Sequence, residues 1–194
     1  MKKIMLVLVC AFWTLLTTNA FSQSTNSGEH RTVSQVFDRS LSNVENEFVP
    51  AAEAMPEDKY SFAPTNGEFK GVRTFALQVR HVATVNYEFG SVILGEKSPV
   101  EMGEDENGAA SLKSKDEIVK YLKDSFAYLH KAIASMNENN QVAPIKNPWG
   151  QGSITRLSIA IIAVAHPFDH YGQMVEYLRM NNIVPPGSQP PPAR

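Results

Sequence analysis

The segment Ile159-Ala-Ile-Ile-Ala-Val-Ala-His-Pro-Phe-Asp-His-Tyr-Gly-Gln173 decides the fold, because an apolar run passes directly into a polar stripe. The run before His166 carries no polar side chain, so we expect this part of a helix to be surrounded by other helices. His166 and His170 stand at positions i and i+4, which places both rings on one helix face, about one turn apart. A polar stripe after buried turns indicates a pocket inside a helix bundle, although a half-exposed surface stripe would give the same pattern.

Three other segments repeat apolar residues at spacings of three and four, as amphipathic helices do. They extend over about residues 31–54, 71–94 and 114–136. The third opens with the capping box Ser114-Lys-Asp-Glu117. With the fourth helix, which is expected to begin near Ser153, they predict an all-α bundle with no convincing alternating strand pattern.

The second segment contains two further candidate site residues. His81 falls on the flank of the apolar arc, where a side chain can turn inward; a single histidine there is more often a packing residue than a ligand. Arg73, Arg80 and Thr84 mark the face that is expected to be solvated. Glu88 lies on the His81 side two turns further on, as a candidate general base or as a peripheral carboxylate.

The connections between these helices are long. Residues 55–70, 95–112 and 140–152 are rich in Pro, Gly or acidic residues, and loops of this length often have a task. We expect them to cover the mouth of the bundle. The Pro-rich tail, residues 187–194, is expected to hang free or to lie across the surface without forming a helix.

Residues 1–22 have the features of an export signal. Lysines stand near the start, an almost uninterrupted apolar run covers residues 4–16, and small residues near Ala20 and Ser22 suit a cleavage site. The alternative is a retained membrane anchor, but the run is shorter than the ~20 residues of a spanning helix. Cleavage would remove Cys10, the only cysteine, so any metal in the mature chain would be held by His and carboxylate.

The charge balance excludes one class of partner. The formal net charge is -2, and no cluster of Lys and Arg is present beyond the first residues. Phosphate contacts need clustered cations, so we expect no nucleic acid partner. We also expect no membrane association once the signal is removed, and the mature chain is long enough for one domain with its own core.

Three stretches of the sequence carry a family resemblance. They are Ala54-Met-Pro-Glu-Asp-Lys-Tyr60, Thr74-Phe-Ala-Leu-Gln-Val-Arg-His-Val-Ala83 and the run His166–Pro186, which includes Gly172-Gln173, Tyr177-Leu-Arg179 and Pro185-Pro186. From about Val33 to Pro186 the chain resembles the DinB/YfiT-like family. The resemblance implies a four-helix bundle of the up-down-down-up type with long connecting loops, over a domain at residues 31–186. It also implies a homodimer, because members of that family are usually dimeric.

The same resemblance implies a metal site. The family holds its metal with one His from the second helix and two from an H-x-x-x-H on the fourth, which correspond here to His81, His166 and His170. Neutral imidazoles suit zinc or nickel, and three of them leave open coordination positions. The resemblance therefore favours an exported, metal-dependent hydrolase or transferase of unknown substrate. The alternative is a non-catalytic module that binds a metal or a small ligand.

Relatives in this family include transferases and isomerases that use low-molecular-weight thiols. Those thiols are cytoplasmic, so an exported protein would seldom meet them, and we do not expect that reaction here. The substrate is a small molecule that no sequence feature identifies.

Four residues around the H-x-x-x-H motif have open roles. Gln173 and Tyr177 lie on the same helix face as His166 and His170. They are candidate catalytic residues that would orient a bound water or ligand, or they simply pack at a helix seam. Asp169 would be a hydrogen-bond acceptor behind a ligand or a solvated residue. Pro167 removes a backbone N–H and disfavours the α conformation at the preceding residue. Either the helix kinks there or a new helix begins at the proline.

Overall fold

The computed structural model describes residues 31–190, and four long helices account for most of them. The predicted signal at residues 1–22 and the last four residues of the tail lie outside the described residues. The long helices are α1 (Val33–Ala54), α2 (Phe75–Leu94), α3 (Lys115–Ala134) and α4 (Arg156–Met180). The short elements are the strands β1 (Pro144–Lys146) and β2 (Ser153–Thr155) and the 3₁₀ turns at Glu57–Lys59, Glu104–Glu106 and Pro186–Ser188. Within the described part of the chain, no helix is both long and apolar enough to cross a membrane.

Each long helix begins after a Ser or Thr whose hydroxyl caps it. The side-chain oxygens of Thr32, Thr74, Ser114 and Thr155 each accept the backbone N–H of the residue three positions on. The capping box predicted at Ser114 is present. These caps set the helix starts, and they explain why α2 and α4 begin later than the apolar pattern predicts.

α2 and α3 run parallel to each other. The hydroxyl of Thr84 is 3.1 Å from that of Tyr121, and the hydroxyl of Ser91 is 3.2 Å from that of Tyr128. The partner numbers rise together along the two helices, which is the signature of a parallel pair.

α1 is antiparallel to α3, and α4 is antiparallel to α2, because in both pairs the partner numbers run in opposite directions. The pairs that show this are Asp38–His130 and Glu53–Lys123 between α1 and α3, and Arg73–Tyr177 and Ile93–Arg156 between α2 and α4. Each helix packs on two others, while α1 and α2 lie diagonally across the bundle, as do α3 and α4. The predicted up-down-down-up bundle with long connections is confirmed.

The core lies along the bundle axis and receives large side chains from all four helices. The largest fully buried side chains are Leu41, Phe48, Met55, Phe75, Ile93, Ile118, Leu122, Phe126, Leu129, Ile133, Ile159 and Met174. Burial of one such side chain contributes roughly 1.5–3 kcal/mol. The core therefore holds the four helices in place and fixes the relative positions of the site residues they carry.

The apolar run at the start of α4 is not surrounded by other helices, contrary to the sequence prediction. Ile161 is 54% exposed and Ile162 39% exposed, and Ala165 is also exposed. The physical reason is the bundle geometry, in which α4 packs on α1 and α2 and keeps an outer face in solvent.

The prediction of a solvated face on α2 was also wrong in part. Thr84 is fully buried, and its hydroxyl donates to the backbone oxygen of Arg80 and contacts Tyr121 of α3. Arg80 is half-buried. α3 packs along this face, so the polar side chains meet another helix and hydrogen-bond there.

Two local features around α4 differ from expectation or resolve an open choice. β1 and β2 form a small antiparallel hairpin directly before α4, which the sequence did not indicate because three-residue strands are too short for an alternating pattern. α4 continues unbroken through Pro167, so the idea of a new helix beginning at the proline was wrong. His166 and His170 therefore stay on one helix face.

The start of the tail forms a short helical turn, which we did not expect. This 3₁₀ turn, Pro186–Ser188, lies against α1.

Candidate metal centre

Three histidines from two helices converge at the interface between α2 and α4. The Nε2 atom of His166 is 3.2 Å from Nε2 of His81 and 3.1 Å from Nε2 of His170. One ligand atom from each ring lies within 4.8 Å of the others. The structure thus brings together the three residues that the sequence singled out.

The hydrogen bonds on the outer side of two rings set which ring nitrogen carries the proton. Nδ1 of His81 faces the carbonyl oxygen of Glu106 at 3.3 Å, and Nδ1 of His170 faces Oε1 of Gln78 at 2.6 Å. Both partners are acceptors, so in the neutral rings the proton sits on Nδ1. The lone pairs on Nε2 of His81 and His170 then point into the cluster.

A divalent cation fits this arrangement. Zinc–nitrogen bonds of about 2.0–2.1 Å in tetrahedral geometry separate two ligand nitrogens by about 3.3 Å, close to the spacing of the Nε2 atoms. Converging lone pairs repel one another unless a proton or a cation lies between them. The three histidines could therefore hold a metal ion and leave further coordination positions open.

The cluster is electrostatically prepared for a cation. Burial, followed by the neighbouring rings of His170 and His81, lowers the pKa of His166 to about 3. Burial also lowers the pKa of His170 to about 4 and lowers that of His81. The rings are therefore neutral near pH 7, which is the form that binds metals.

A chain of side-chain hydrogen bonds lies behind His170 and determines which of its ring nitrogens carries the proton. Gln78 Nε2 donates to Oε1 of Gln173 at 2.8 Å, and Gln173 Nε2 donates to Oδ2 of Asp169 at 3.3 Å. An ionised carboxylate only accepts, so each amide in the chain must turn its oxygen toward His170. Asp169 and Gln173 thus act together to place the proton of His170 on Nδ1.

Gln78 is the member of this chain that the sequence reasoning missed. It is 2% exposed and stands on α2 one turn before His81. A polar residue at i−3 from a candidate ligand, within an apolar arc, was the available signal. The structure also places Asp169 and Gln173. Both belong to the hydrogen-bonded chain behind His170, so Asp169 is not merely a solvated residue and Gln173 is not merely a seam residue.

His166 is positioned by packing instead. Its Nδ1 is buried and has no hydrogen-bond partner among the described residues. The ring of Phe89 packs edge-on against it at 5.8 Å between centroids. Its neighbours on both sides are the other two histidines, so its Nε2 stays directed at the cluster.

A strained loop between α2 and α3 supplies the acceptor for His81. Asp105 and Glu106 have φ of 50° and 59°, a left-handed conformation that is costly for residues other than glycine. This conformation turns the carbonyl of Glu106 to His81 and that of Asp105 to Nη2 of Arg73 at 3.0 Å. Arg80 holds the same loop by donating to the carbonyl of Ala109 at 2.8 Å. The acidic loop, residues 103–109, therefore closes one side of the cluster.

Glu88 lies outside the group of three histidines. Its Oε1 accepts a hydrogen bond from Nε1 of Trp149 at 2.8 Å, and burial raises its pKa while this bond opposes the rise. Trp149 comes from the loop before β2 and packs edge-on against Phe89, which itself contacts His166. Its role as a general base stays a prediction.

Tyr177 is buried at the seam between α4 and the start of α2. Its hydroxyl donates to the carbonyl oxygen of Arg73 at 3.0 Å, and its ring packs against Phe62. These contacts agree with the reading of Tyr177 as a seam residue. Its predicted catalytic role stays a prediction.

The profile of the DinB superfamily matches residues 40–174. The chain belongs to the DinB superfamily. The match spans α2, α3 and all three histidines, so the family resemblance seen in the sequence is confirmed. No curated protein matches this DinB-superfamily chain.

Solved structures share the fold of this DinB-superfamily protein. A DinB-like protein from Bacillus cereus ATCC 10987 has a TM-score of 0.64 at 16% identity, covering 80% of this chain and 97% of that chain. A conserved protein from Enterococcus faecalis has a TM-score of 0.62 at 17% identity, covering 78% and 98%. YfiT from Bacillus subtilis, described as a probable metal-dependent hydrolase with an unusual four-helix bundle topology, has a TM-score of 0.56 at 14% identity, covering 80% and 92%. At these identities the likeness establishes the fold.

Proposed function

We propose that this DinB-superfamily protein is exported and binds one divalent transition metal through His81, His166 and His170, acting as a hydrolase or transferase on a small-molecule substrate. The observation that carries the proposal is the convergence of three Nε2 atoms, with separations of 3.1 and 3.2 Å about His166. Zinc or nickel is the expected ion, because neutral imidazole suits both. When bound, the ion would supply a Lewis acid that polarises an electrophilic group of the substrate.

The protein's own groups support this use of the site. Gln78 and the carbonyl of Glu106 fix two of the rings, so little reorganisation is needed when the ion binds. Three protein ligands leave positions open, as catalytic zinc sites do and closed structural sites do not. The fold is also that of YfiT, whose description as a probable metal-dependent hydrolase favours hydrolysis over group transfer.

The alternative is a non-catalytic module that binds a metal or small ligand. The discriminating experiment measures metal content of the purified protein and then turnover with zinc and with nickel. Its substrate panel contains esters, amides, phosphoesters and thiol acceptors. Stoichiometric metal with turnover supports the enzyme, and metal without turnover supports the module. A protein that contains no metal and takes up neither ion would refute both metal-dependent versions.

Export is supported by the composition of residues 1–22 alone. Mass spectrometry of the protein from its native host tests it. We expect a new N-terminus near Ala20 or Ser22, whereas an intact Met1 would overturn the proposal.

A homodimer is supported by the outer face of α4. Ile161, Ile162 and Phe168 are 54%, 39% and 44% exposed, and exposed apolar side chains that cluster on one face are typical of an interface. Light scattering should give twice the chain mass for the wild type and the chain mass for Ile161→Glu. Val142→Glu is the matched control, since Val142 is an equally exposed apolar residue in another region, at 59%. A monomeric wild type would refute the dimer.

A further inference from the structure

A solvent-open cavity of about 760 Å³ lies beside the histidine cluster. Its polar lining includes Arg73, Gln78, Asp105, Glu106, Asn107 and Gln173. Two of these residues hydrogen-bond directly to the histidines, Gln78 to His170 and the carbonyl of Glu106 to His81. The cavity therefore shares a wall with the proposed metal site, and its size is in the range of small-molecule sites, about 300–1,000 Å³.

Arg73 is the positively charged residue in this lining, and neutral groups hold it in place. Its Nε donates to Oδ1 of Asn107 at 3.2 Å, and its Nη2 donates to the carbonyl oxygen of Asp105 at 3.0 Å. Among the described residues, no carboxylate oxygen lies within 4 Å of its guanidinium. The side chain is thus fixed in orientation while its charge has no close counter-ion.

The hydrogen-bond capacity of Arg73 is only partly used. A guanidinium has five N–H donors in a planar fork, and two of them are taken by Asn107 and Asp105. The donors that remain include both on Nη1 and one on Nη2, on adjacent nitrogens. That geometry suits the two oxygens of a carboxylate or a phosphoryl group.

The acidic loop makes this arrangement possible. Asp105 and Glu106 are exposed, and their left-handed backbone directs their carbonyl groups inward to Arg73 and His81. The carbonyls hold the two side chains in place, and the carboxylate of Glu106 lies 3.9 Å from Nδ1 of His81.

We infer that Arg73 binds an oxyanion of the substrate, a carboxylate or a phosphoryl group, in the cavity beside the histidine cluster. The inference rests on the proposed function for the identity of the reacting centre. Anchoring a non-reacting anionic group there would orient the rest of the substrate toward the cluster, which is how remote binding energy serves a reaction. On this inference the substrate carries an anionic group.

The test titrates the protein with acetate and, separately, with inorganic phosphate, in zinc-loaded and metal-free forms, by calorimetry. Arg73→Gln removes the charge, Arg73→Lys keeps it without the fork, and Arg179→Gln is the control. Arg179 is an exposed residue of α4 that pairs with Glu176 and is absent from the lining of this cavity. The control therefore removes one positive charge from the protein without changing the cavity or the acidic loop.

We expect Arg73→Gln to weaken anion binding by about 10- to 100-fold, the usual value of a charge-assisted contact. Arg73→Lys should fall between this variant and the wild type, and Arg179→Gln should match the wild type. Binding of acetate alone indicates a carboxylate substrate, and binding of phosphate alone indicates a phosphoryl substrate. The inference is overturned if Arg73→Gln binds as the wild type does, or if the wild type binds neither anion.

Uptake of zinc and of nickel is measured on every sample, and this separates the two proposals. A wild type that takes up neither ion refutes the proposed function, while the metal-free titration still tests Arg73. A wild type that takes up zinc but shows no dependence on Arg73 refutes only the anion site.

Discussion

Two regions of this bundle use histidine in opposite ways. At the α1–α3 interface, Nδ1 of His130 is 2.6 Å from Oδ1 of Asp38, and its Nε2 is 3.1 Å from Oε2 of Glu45. At the opposite interface, between α2 and α4, His81, His166 and His170 face one another. Both nitrogens of His130 therefore face carboxylates, whereas the nitrogens of the clustered histidines face one another.

The neighbours decide the charge of each ring. The hydrogen bond to Glu45 raises the pKa of His130, and Asp38 adds to the rise while burial opposes it. Burial and the adjacent rings lower the pKa of His166 and His170 to about 3 and about 4. His130 therefore favours the imidazolium and acts as a cation between two helices, while the cluster favours neutral rings with lone pairs for a metal. The side chain is the same, and the difference lies in what each fold position brings close to it.

The largest expected effect is on metal binding. Replacing His81, His166 or His170 by Ala should weaken zinc binding by more than about 100-fold, since even partners behind the ligands are worth about 10- to 100-fold. His130→Ala is the matched control and should bind zinc as the wild type does. Competition with a chromophoric chelator measures the affinity, and circular dichroism checks the helices. Equal loss of zinc in the His130 variant would remove the distinction between the two regions.

A graded effect should follow along the hydrogen-bonded chain behind His170. Gln78→Met removes the acceptor of the His170 proton and should weaken zinc binding by about 10- to 100-fold. Gln173→Met acts one bond further away and should cost less, and Asp169→Asn should cost least, below about tenfold. The same competition assay ranks the three. If Gln78→Met retains the wild-type affinity, the chain has no part in orienting the ligand.

The His130 region should show a pH dependence of stability. Because the folded pKa of His130 lies above the unfolded value of about 6.5, its ion pairs stabilise the fold fully below pH ~6.5 and lose this effect as the pH rises through the folded pKa. His130→Gln should therefore lower the free energy of unfolding by roughly 1–2 kcal/mol at about pH 5.5, and by less above the folded pKa.

Urea unfolding at a series of pH values measures this difference. It is made on metal-free protein, so that ligand linkage at the cluster does not contribute. A difference that grows as the pH rises from about 5.5 would have the wrong sign and would contradict the imidazolium assignment.

The smallest effect is expected at Glu88. Glu88→Gln should change zinc affinity by less than about threefold, because its carboxylate bonds to Trp149 and is not one of the metal-binding groups. The emission of Trp149, the only tryptophan after residue 22, should shift on substitution because its hydrogen bond changes. A large loss of zinc in this variant would place Glu88 among the ligands.

The sequence predicted the fold well because helices are specified locally. Apolar spacing locates all four helices, and the Ser114 capping box predicts the start of α3, where the structure has it. The family resemblance supplied the up-down-down-up order and selected His81, which its own helix pattern favoured as a packing residue. The hairpin before α4 was missed, since a three-residue strand carries no period.

The parts of the site that escaped prediction depend on contacts between distant segments. Gln78 is identified as a site residue only by its hydrogen bonds to Gln173 and His170, which form because α4 packs against α2. The sequence predicted Arg73 on a solvated face. In the structure the acidic loop folds over this face and hydrogen-bonds to Arg73, which lines a cavity there. The sequence did not predict the left-handed conformations at Asp105 and Glu106, because glycine is the residue that usually indicates them and neither residue is glycine.

By itself, the sequence predicted three amphipathic helices and a fourth that begins with an apolar run, identified the cap at Ser114 and put His166 and His170 on one face, because caps and helical periodicity act over one or two turns. Only the tertiary structure decided whether each histidine forms an ion pair or joins the metal-binding cluster. His81 meets His166, and His130 meets Glu45, each across 85 residues of chain, because α2 packs antiparallel to α4 and α1 antiparallel to α3. Protonation and metal binding depend on charges and lone pairs a few ångströms away, and those neighbours exist only after the helices have packed.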